Sequence, residues 1–460
     1  MQESIDPTSA EDEKIDSKEL IENLKFCVFD LETTGGNQRT DKIIEIGMVK
    51  VHGLKIIEEK TFLIRPEVKI PEFIQKLTTI RQEDVASAPV IEEVIDEILE
   101  FMHGHILVAH NTSFDIPFFN SVLDRLGRPK LENPGLCTNL MTKYMIPNLL
   151  NSNLSYMCRI FGINHGKVHR ALDDASATAK LLICYLSIYI EKGIKKINHL
   201  YYPRNKYELD RMHVKKNECS IEQVLEKLKK IHSPYLFTLK GENGVILYSL
   251  PCGVMAKQKQ IENIKAQLKA RPWEIITIRL FGPYIEALMH FSTLYPKMDP
   301  QTRGDIISFL RETQIEKKDT SRPWQKLDTH EIHTWVENNL GDFVIANHLV
   351  PDQMFIIPLQ ALNQKNQLIF RYPGHQKKLI QYINAKASRL SANKMKRSQF
   401  QAPLRDFILE YLLQHNSGVK TDFLLFRKSL PLKRSADFFE LMNDFLAKHH
   451  NGYKYPKEYI

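Results

Sequence analysis

The stretch FCVFDLETTG, residues 26–35, decides the architecture of the front of this chain. Four apolar residues, Phe26 to Phe29, run into Asp30, Leu31, Glu32, Thr33 and Thr34. That is the pattern of a short buried strand whose C-terminal end turns polar. A strand repeats every two residues, so Asp30 and Glu32 share one face. In α/β folds the C-terminal ends of strands carry the sites. Working outward, KIIEIGMVKV (42–51) and EKTFLIRP (59–66) read as two more strands, and PVIEEVIDEILEFM (89–102) has apolar residues at helical spacing. HILVAHN (105–111) reads as another buried strand, and SFDIPFFNSVLDRLG (113–127) as a helix with a serine start and a glycine stop. Helices near 154–161 and 171–190 follow, the second stopped by Gly193. This order argues an α/β layer fold of about 170 residues.

Two further segments bring acids to the same domain. Asp115 lies just past the strand in HILVAHN, in the first turn of the next helix. KVHRALDDA carries His169 and Asp174, five residues apart. On one continuous helix they would stand about 140° apart around the axis. They converge only if His169 sits in the loop before the helix. Four buried carboxylates, Asp30, Glu32, Asp115 and Asp174, cannot all ionise without cations. Carboxylate oxygens suit hard divalent ions such as Mg²⁺ or Mn²⁺. Two such ions can clamp the attacking and leaving oxygens of a phosphodiester, and a histidine beside them can take a proton from water.

FDLETTG, HNTSFD and HRALDDA resemble, in order and spacing, the three motifs of the DEDDh exonucleases, most of all the proofreading epsilon type of bacterial DNA polymerase III. The resemblance spans about residues 26–189. It implies a ribonuclease H-like exonuclease domain, with a mixed sheet flanked by helices, and removal of nucleoside monophosphates from a DNA 3′ end in repair or replication. It implies that Asp30, Glu32, Asp115 and Asp174 bind two metals and that His169 is the general base. Thr33, Thr34 and Gly35 match the segment whose backbone touches the terminal nucleotide. His110 and Asn111 either approach the substrate or close the strand end. Phe114 either stacks on a base or packs under its helix. One departure is Leu77–Ile80, LTTI, where the family often has a leucine-threonine-glycine step. RNA as the substrate, or a nucleic-acid-binding adaptor with a vestigial exonuclease fold, are the competing readings.

Residues 1–22 read as a disordered acidic tail, 23–193 as the exonuclease domain and 194–219 as a basic linker. Residues 220–302 read as a small α/β unit with a hairpin around Glu242-Asn243-Gly244, and 303–460 as a basic α/β region. The small unit resembles in layout the GIY-YIG domain of UvrC-like proteins. Tyr235, Tyr248 and Glu286 match its two tyrosines and its metal-binding glutamate. Pro234, Leu250 and Asp299 depart from its pattern, so a degenerate domain that binds nucleic acid is expected, beside the alternative of an unrelated fold. QAPLRDF (401–407) has a loose likeness to a sliding-clamp motif.

Composition sets the outer bounds. The 460 residues are 43% hydrophobic and 26% charged, ordinary for globular proteins, which excludes a collagen, a rod or a chain disordered throughout. No apolar run reaches the ~18 residues of a membrane span. The acidic N-terminus is not a signal peptide. Six cysteines (Cys27, Cys137, Cys158, Cys184, Cys219 and Cys252) form no CxxC pair, which fits free thiols in the cytoplasm. The net charge of +8 is uneven: residues 1–187 hold 20 Lys+Arg against 28 Asp+Glu, and residues 188–460 hold 43 against 27. Clusters at Lys386, Arg389, Lys394, Lys396 and Arg397, and at Arg427, Lys428, Lys433 and Arg434, are candidate phosphate contacts. DNA is the expected partner, together with replication or repair proteins.

Overall fold

The computed structural model describes residues 19–196, 200, 208–315, 342–359, 367–391, 402–415, 423–426 and 435–449. Residues 1–18 of the expected tail lie outside them, as do Lys394, Lys396, Arg397, Arg427, Lys428, Lys433 and Arg434; the last part of that tail is ordered, with Leu20 bridged to Lys196 and Ile21 fully buried. The chain divides into two units, residues 1–147 with 151–207, and residues 148–150 with 208–460.

The first unit is built on a five-stranded sheet in the order β3-β2-β1-β4-β5. Its strands are β1 (Lys25–Thr33), β2 (Ile43–His52), β3 (Lys55–Leu63), β4 (Ile106–Ala109) and β5 (Gly135–Cys137). The first three pair antiparallel, as a meander, while β1, β4 and β5 run parallel. The helices are α1 (Glu72–Thr78), α2 (Ile91–Met102), α3 (Thr112–Arg125), α4 (Thr138–Met145), α5 (Leu154–Phe161) and α6 (Ala171–Glu191). Alternation along β1 divides its side chains between two layers. Cys27, Phe29 and Leu31 join Ile95, Ile98, Phe118 and Phe119 of α2 and α3 in one core. The other face, with Asp30 and Glu32, turns toward α6, which packs across β1 and β2. A mixed sheet between helices is the expected ribonuclease H-like arrangement. Because β1 and β4 are parallel, the end of β1 and the start of α3 lie at one edge of the sheet.

The second unit contains two antiparallel sheets. One has the order β6-β9-β7-β8, formed by β6 (Arg211–Lys215), β7 (Tyr235–Lys240), β8 (Ile246–Cys252) and β9 (Ile275–Leu280). The hairpin expected around residues 242–244 is the β7–β8 connection. Part of the segment expected as linker is not linker: Arg211–Lys215 pairs with β9, because Met212 and Val214 alternate with polar residues and complete the sheet edge. The other sheet has the order β12-β11-β10-β13, formed by β10 (Phe343–Asn347), β11 (Gln353–Pro358), β12 (Leu368–Arg371) and β13 (Phe423–Phe426). Helices Gln376–Ser391 and Ser435–His449 cover it through Leu379, Ile383, Phe438 and Met442. In QAPLRDF, Leu404 and Phe407 are fully buried in the helix Ala402–His415, so these two residues of that motif belong to the core. All six cysteines are free. Among the described residues no helix is long and apolar enough to cross a membrane.

Candidate functional site

The site forms where three backbone elements meet. β1 delivers Asp30 and Glu32 from the face that α6 covers. Opposite Asp30 in the β1–β2 register stands Gly47. A Cβ at Gly47 would fall 2.2 Å from the carbonyl carbon of Ala171, so only glycine lets the start of α6 lie directly on the strand. That approach brings in Asp174, the fourth residue of α6. Asp115 is likewise the fourth residue of its helix, α3, and is buried at the edge where β1 and β4 end. His169 lies just before α6 with a left-handed φ of 64°, and its backbone N–H donates to Asp174 Oδ2 at 3.2 Å. The loop position that convergence requires is therefore the one observed. Ligand atoms of Glu32, His169 and Asp174 lie within 4.8 Å of one another.

These carboxyls face one another, with Arg170 and His165 beside them. Burial, then the charges of Asp115, Asp174, Glu32 and Glu45, push the Asp30 carboxyl well above the usual range. Burial followed by Asp174, Glu45 and Asp115 pushes Glu32 up to about 8, against a smaller lowering by Arg170. Burial raises Asp115 and Asp174 too, although His165 acts against the shift at Asp174. Without cations such a set holds protons at neutral pH. The donors are carboxylate oxygens, which suit hard divalent metal ions, and the His169 imidazole lies beside them. The residues present thus fit the metal centre that the family implies.

Three residues here were not read from the sequence. His165 Nε2 hydrogen-bonds Asp174 Oδ1, while its Nδ1 lies 3.3 Å from Ser155 Oγ. Glu45, opposite Glu32 in the register and 2% exposed, accepts from Arg170 Nε at 3.1 Å, Arg170 Nη2 at 2.7 Å and the Ala171 N–H at 2.9 Å. An adjacent Asn-His-Gly was the only signal for His165, and the buried acid in KIIEIG was the signal for Glu45.

The expected substrate contacts divide. Thr33 and Thr34 are buried in a tight loop: Thr33 Oγ1 donates to Gly35 O at 2.7 Å, and Thr34 Oγ1 accepts from the Lys42 N–H at 3.0 Å. A Cβ on Gly35 would fall 2.5 Å from Asp41 Oδ2, so a side chain there would push the Asp41 carboxylate aside. His110 closes the strand end. Its Nε2–H donates to Ser152 O at 2.8 Å, which leaves Nδ1 to accept from Thr138 Oγ1 at 2.9 Å. Both ring nitrogens are thereby used inside the protein. Asn111 is exposed and its Oδ1 accepts from Ser113 Oγ. Phe114 packs on the core of α2 and α3, with its ring 5.5 Å from that of Phe118. In LTTI, Thr79 takes a left-handed φ of 60° where the related pattern has glycine.

The acids of the second unit have different surroundings. Glu286 is buried, but its Oε2 accepts from the Gly282 N–H at 3.0 Å and its Oε1 lies 3.3 Å from His348 Nε2. His348 Nδ1 accepts from the Val350 N–H, so Nε2 carries the proton and faces Glu286. Tyr248 Oη donates to Asn263 Oδ1, and Tyr235 is buried. Asp299 caps the helix Pro300–Gln314 by accepting from the Thr302 N–H. The expected metal role of Glu286 is thus not supported: its oxygens are committed within the protein. Among the described residues, the one group with spacing to hold a metal is Glu32, His169 and Asp174.

Comparison with known proteins places this geometry. A family model described as Exonuclease matches residues 27–182 and does not extend into the second unit. The chain is 37% identical over 170 residues to the DNA polymerase III subunit epsilon of Aquifex aeolicus, covering 37% of this chain and 84% of that subunit. It is 40% identical over 176 residues to a PolC-type DNA polymerase III of Caldanaerobacter subterraneus subsp. tengcongensis, covering 38% of this chain but only 12% of that polymerase's length. A solved structure of Exonuclease X in complex with 5′ overhanging duplex DNA is similar at 29% identity, with 36% of this chain and 93% of that one covered and a TM-score of 0.30. Through residues 27–182 the chain belongs to the exonuclease family that includes the epsilon subunit of DNA polymerase III.

Proposed function

We propose that this chain is a 3′→5′ exonuclease that hydrolyses DNA from its 3′ end and releases nucleoside monophosphates, with Mg²⁺ or Mn²⁺ as its ions. The observation that carries this reading is the convergence of Asp30, Glu32, Asp115 and Asp174 with carboxyl groups all raised by burial. When bound, a pair of divalent cations supplies charge stabilisation for the reacting phosphodiester. The four carboxylates would hold that pair, and the groups that burial keeps protonated would give up their protons to do so. His169, free of the helix and beside Glu32 and Asp174, takes the proton of the attacking water. The Thr33-Thr34-Gly35 loop presents a rigid backbone to the terminal nucleotide.

Residues 23–193 carry the cutting in this reading. The surplus of Lys and Arg after residue 187 supports a holding role for the remainder, since each phosphate contact releases counterions. Replication or repair proteins are the partners that fit. The test is purified chain with matched DNA and RNA strands labelled at either end, with Mn²⁺, with Mg²⁺ and with chelator. Release of mononucleotides from the DNA 3′ end, absent in chelator, is expected. Faster turnover of the RNA strand would move the substrate to RNA. No turnover of either strand with Mn²⁺ would overturn the reading.

A further inference from the structure

Glu45 is a buried carboxylate that the proposed chemistry leaves unused. It extends from β2 opposite Glu32, yet its oxygens reach the start of α6 rather than the metal-binding acids. Three hydrogen bonds hold two consecutive residues, Arg170 and Ala171. These sit between His169 and Asp174, the two groups whose relative placement the reaction needs. The planar guanidinium meets the carboxylate through two nitrogens, a directional contact that fixes rotation as well as distance. Two residues along the same strand, Gly47 removes any side chain from beneath Ala171. Gly47 therefore sets how close α6 comes, and Glu45 sets its orientation.

The segment needs such a hold. His169 keeps a left-handed backbone, which non-glycine residues disfavour. Asp174 is held in the crowded acidic site beside Glu32, with ligand atoms within 4.8 Å of one another. Released, residues 166–174 would relieve both by moving away from the strand. We infer that the Glu45–Arg170 pair is a clamp that sets His169 and Asp174 against Asp30 and Glu32, making Glu45 and Arg170 positioning residues. The inference deepens the exonuclease reading and rests on it.

The test uses the full chain with Glu45→Gln, Glu45→Ala, Arg170→Gln and the double Glu45→Gln/Arg170→Gln variant. Two quantities are measured. The first is amide hydrogen exchange of residues 166–175 in metal-free protein. It is expected to rise about tenfold or more in each variant while exchange in β1 and β4 stays unchanged. The second is kcat and KM on a 3′-labelled DNA strand. Here kcat falls about 10- to 100-fold with KM within about twofold, since misplacement by an ångström costs that much. The double variant should be no worse than the more severe single one, because both remove the same contact. Unchanged exchange, a loss confined to KM, or a double loss equal to the product of the singles would overturn the clamp. If Glu45→Ala does not fold, Glu45→Gln keeps one oxygen acceptor and carries the test. A wild-type chain without nuclease activity would sink the exonuclease reading, while the exchange measurement would still decide the clamp.

Discussion

Both units bury carboxylates and burial raises Glu286 to about 7 as it raises the acids of the first unit, but the two groups have different neighbours. In the first unit Asp30, Glu32, Asp115 and Asp174 face mainly one another, and burial plus mutual repulsion drives their carboxyls upward. In the second, Asp210 meets the Arg279 guanidinium at 3.1 Å and Glu286 meets an imidazole and an N–H. A buried charge is expensive unless paired. The second unit supplies its pairs from its own chain, and its acids tie elements together. The first pairs Asp174 with His165 but sets Asp30, Glu32 and Asp115 mainly against other acids, so the compensating charge there comes from outside. Burial and acidity alone do not distinguish a metal centre from a polar tie; the gathering of several carboxyls that face one another does. Glu45 makes the same point within the first unit, being buried among the acids yet satisfied by Arg170.

The sharpest way to break this contrast is to neutralise one acid of each kind. Asp30→Asn should lower nuclease turnover by about 10³-fold or more, by removing a charge the transition state relies on. His169→Ala should lower kcat by about 10²–10⁴-fold. Unlike Asp30→Asn it should leave most metal affinity in place, and steady-state rates beside calorimetric Mn²⁺ titrations distinguish the two.

The contrast also predicts a pH signature. Glu32 ordinarily titrates in the carboxylate range, and the fold raises it to about 8. Folding then favours the protonated form, so this contribution to stability is present below the usual carboxylate range and is lost as pH rises toward about 8. Metal-free protein should melt at progressively lower temperature from about pH 5 to pH 8, and saturating divalent metal should remove that slope. A metal-free melting temperature that rises across this interval would contradict the assignment. In the second unit, Glu286→Ala would leave His348 Nε2–H and the Gly282 N–H unpaired. It should cost about 1–3 kcal/mol in chemical unfolding while nuclease rates stay unchanged. The smallest effect concerns backbone strain: Thr79→Gly should stabilise the first unit by about 1 kcal/mol, because glycine adopts its left-handed φ freely.

Much of this contrast was legible in the chain itself, and the reasons are local. The period of two along residues 26–34 separates Cys27, Phe29 and Leu31 from Asp30 and Glu32. The break before Ala171 separates His169 from its helix. Both signals lie within a few residues. The clamp was not legible, because it depends on the register that sets Glu45 opposite Glu32 and on the space above Gly47, which belong to the pairing of β1 with β2 and α6. The same holds for His165, which reaches Asp174 only through the fold of the intervening loop. Glu286 misled in the opposite direction. Its spacing resembled a metal-binding glutamate, but a residue 62 positions later, His348, supplies its partner.

The central claim, that the acids gathered at the end of β1 bind metal and the buried acids of the second unit do not, is tested most directly by calorimetric titration of Mn²⁺ at pH 7 into wild type, Asp30→Asn and Glu286→Gln. Wild type and Glu286→Gln should bind alike, with release of about one or more protons, and Asp30→Asn should lose the binding. Equal binding by Asp30→Asn and wild type, or loss of binding in Glu286→Gln alone, would contradict the account.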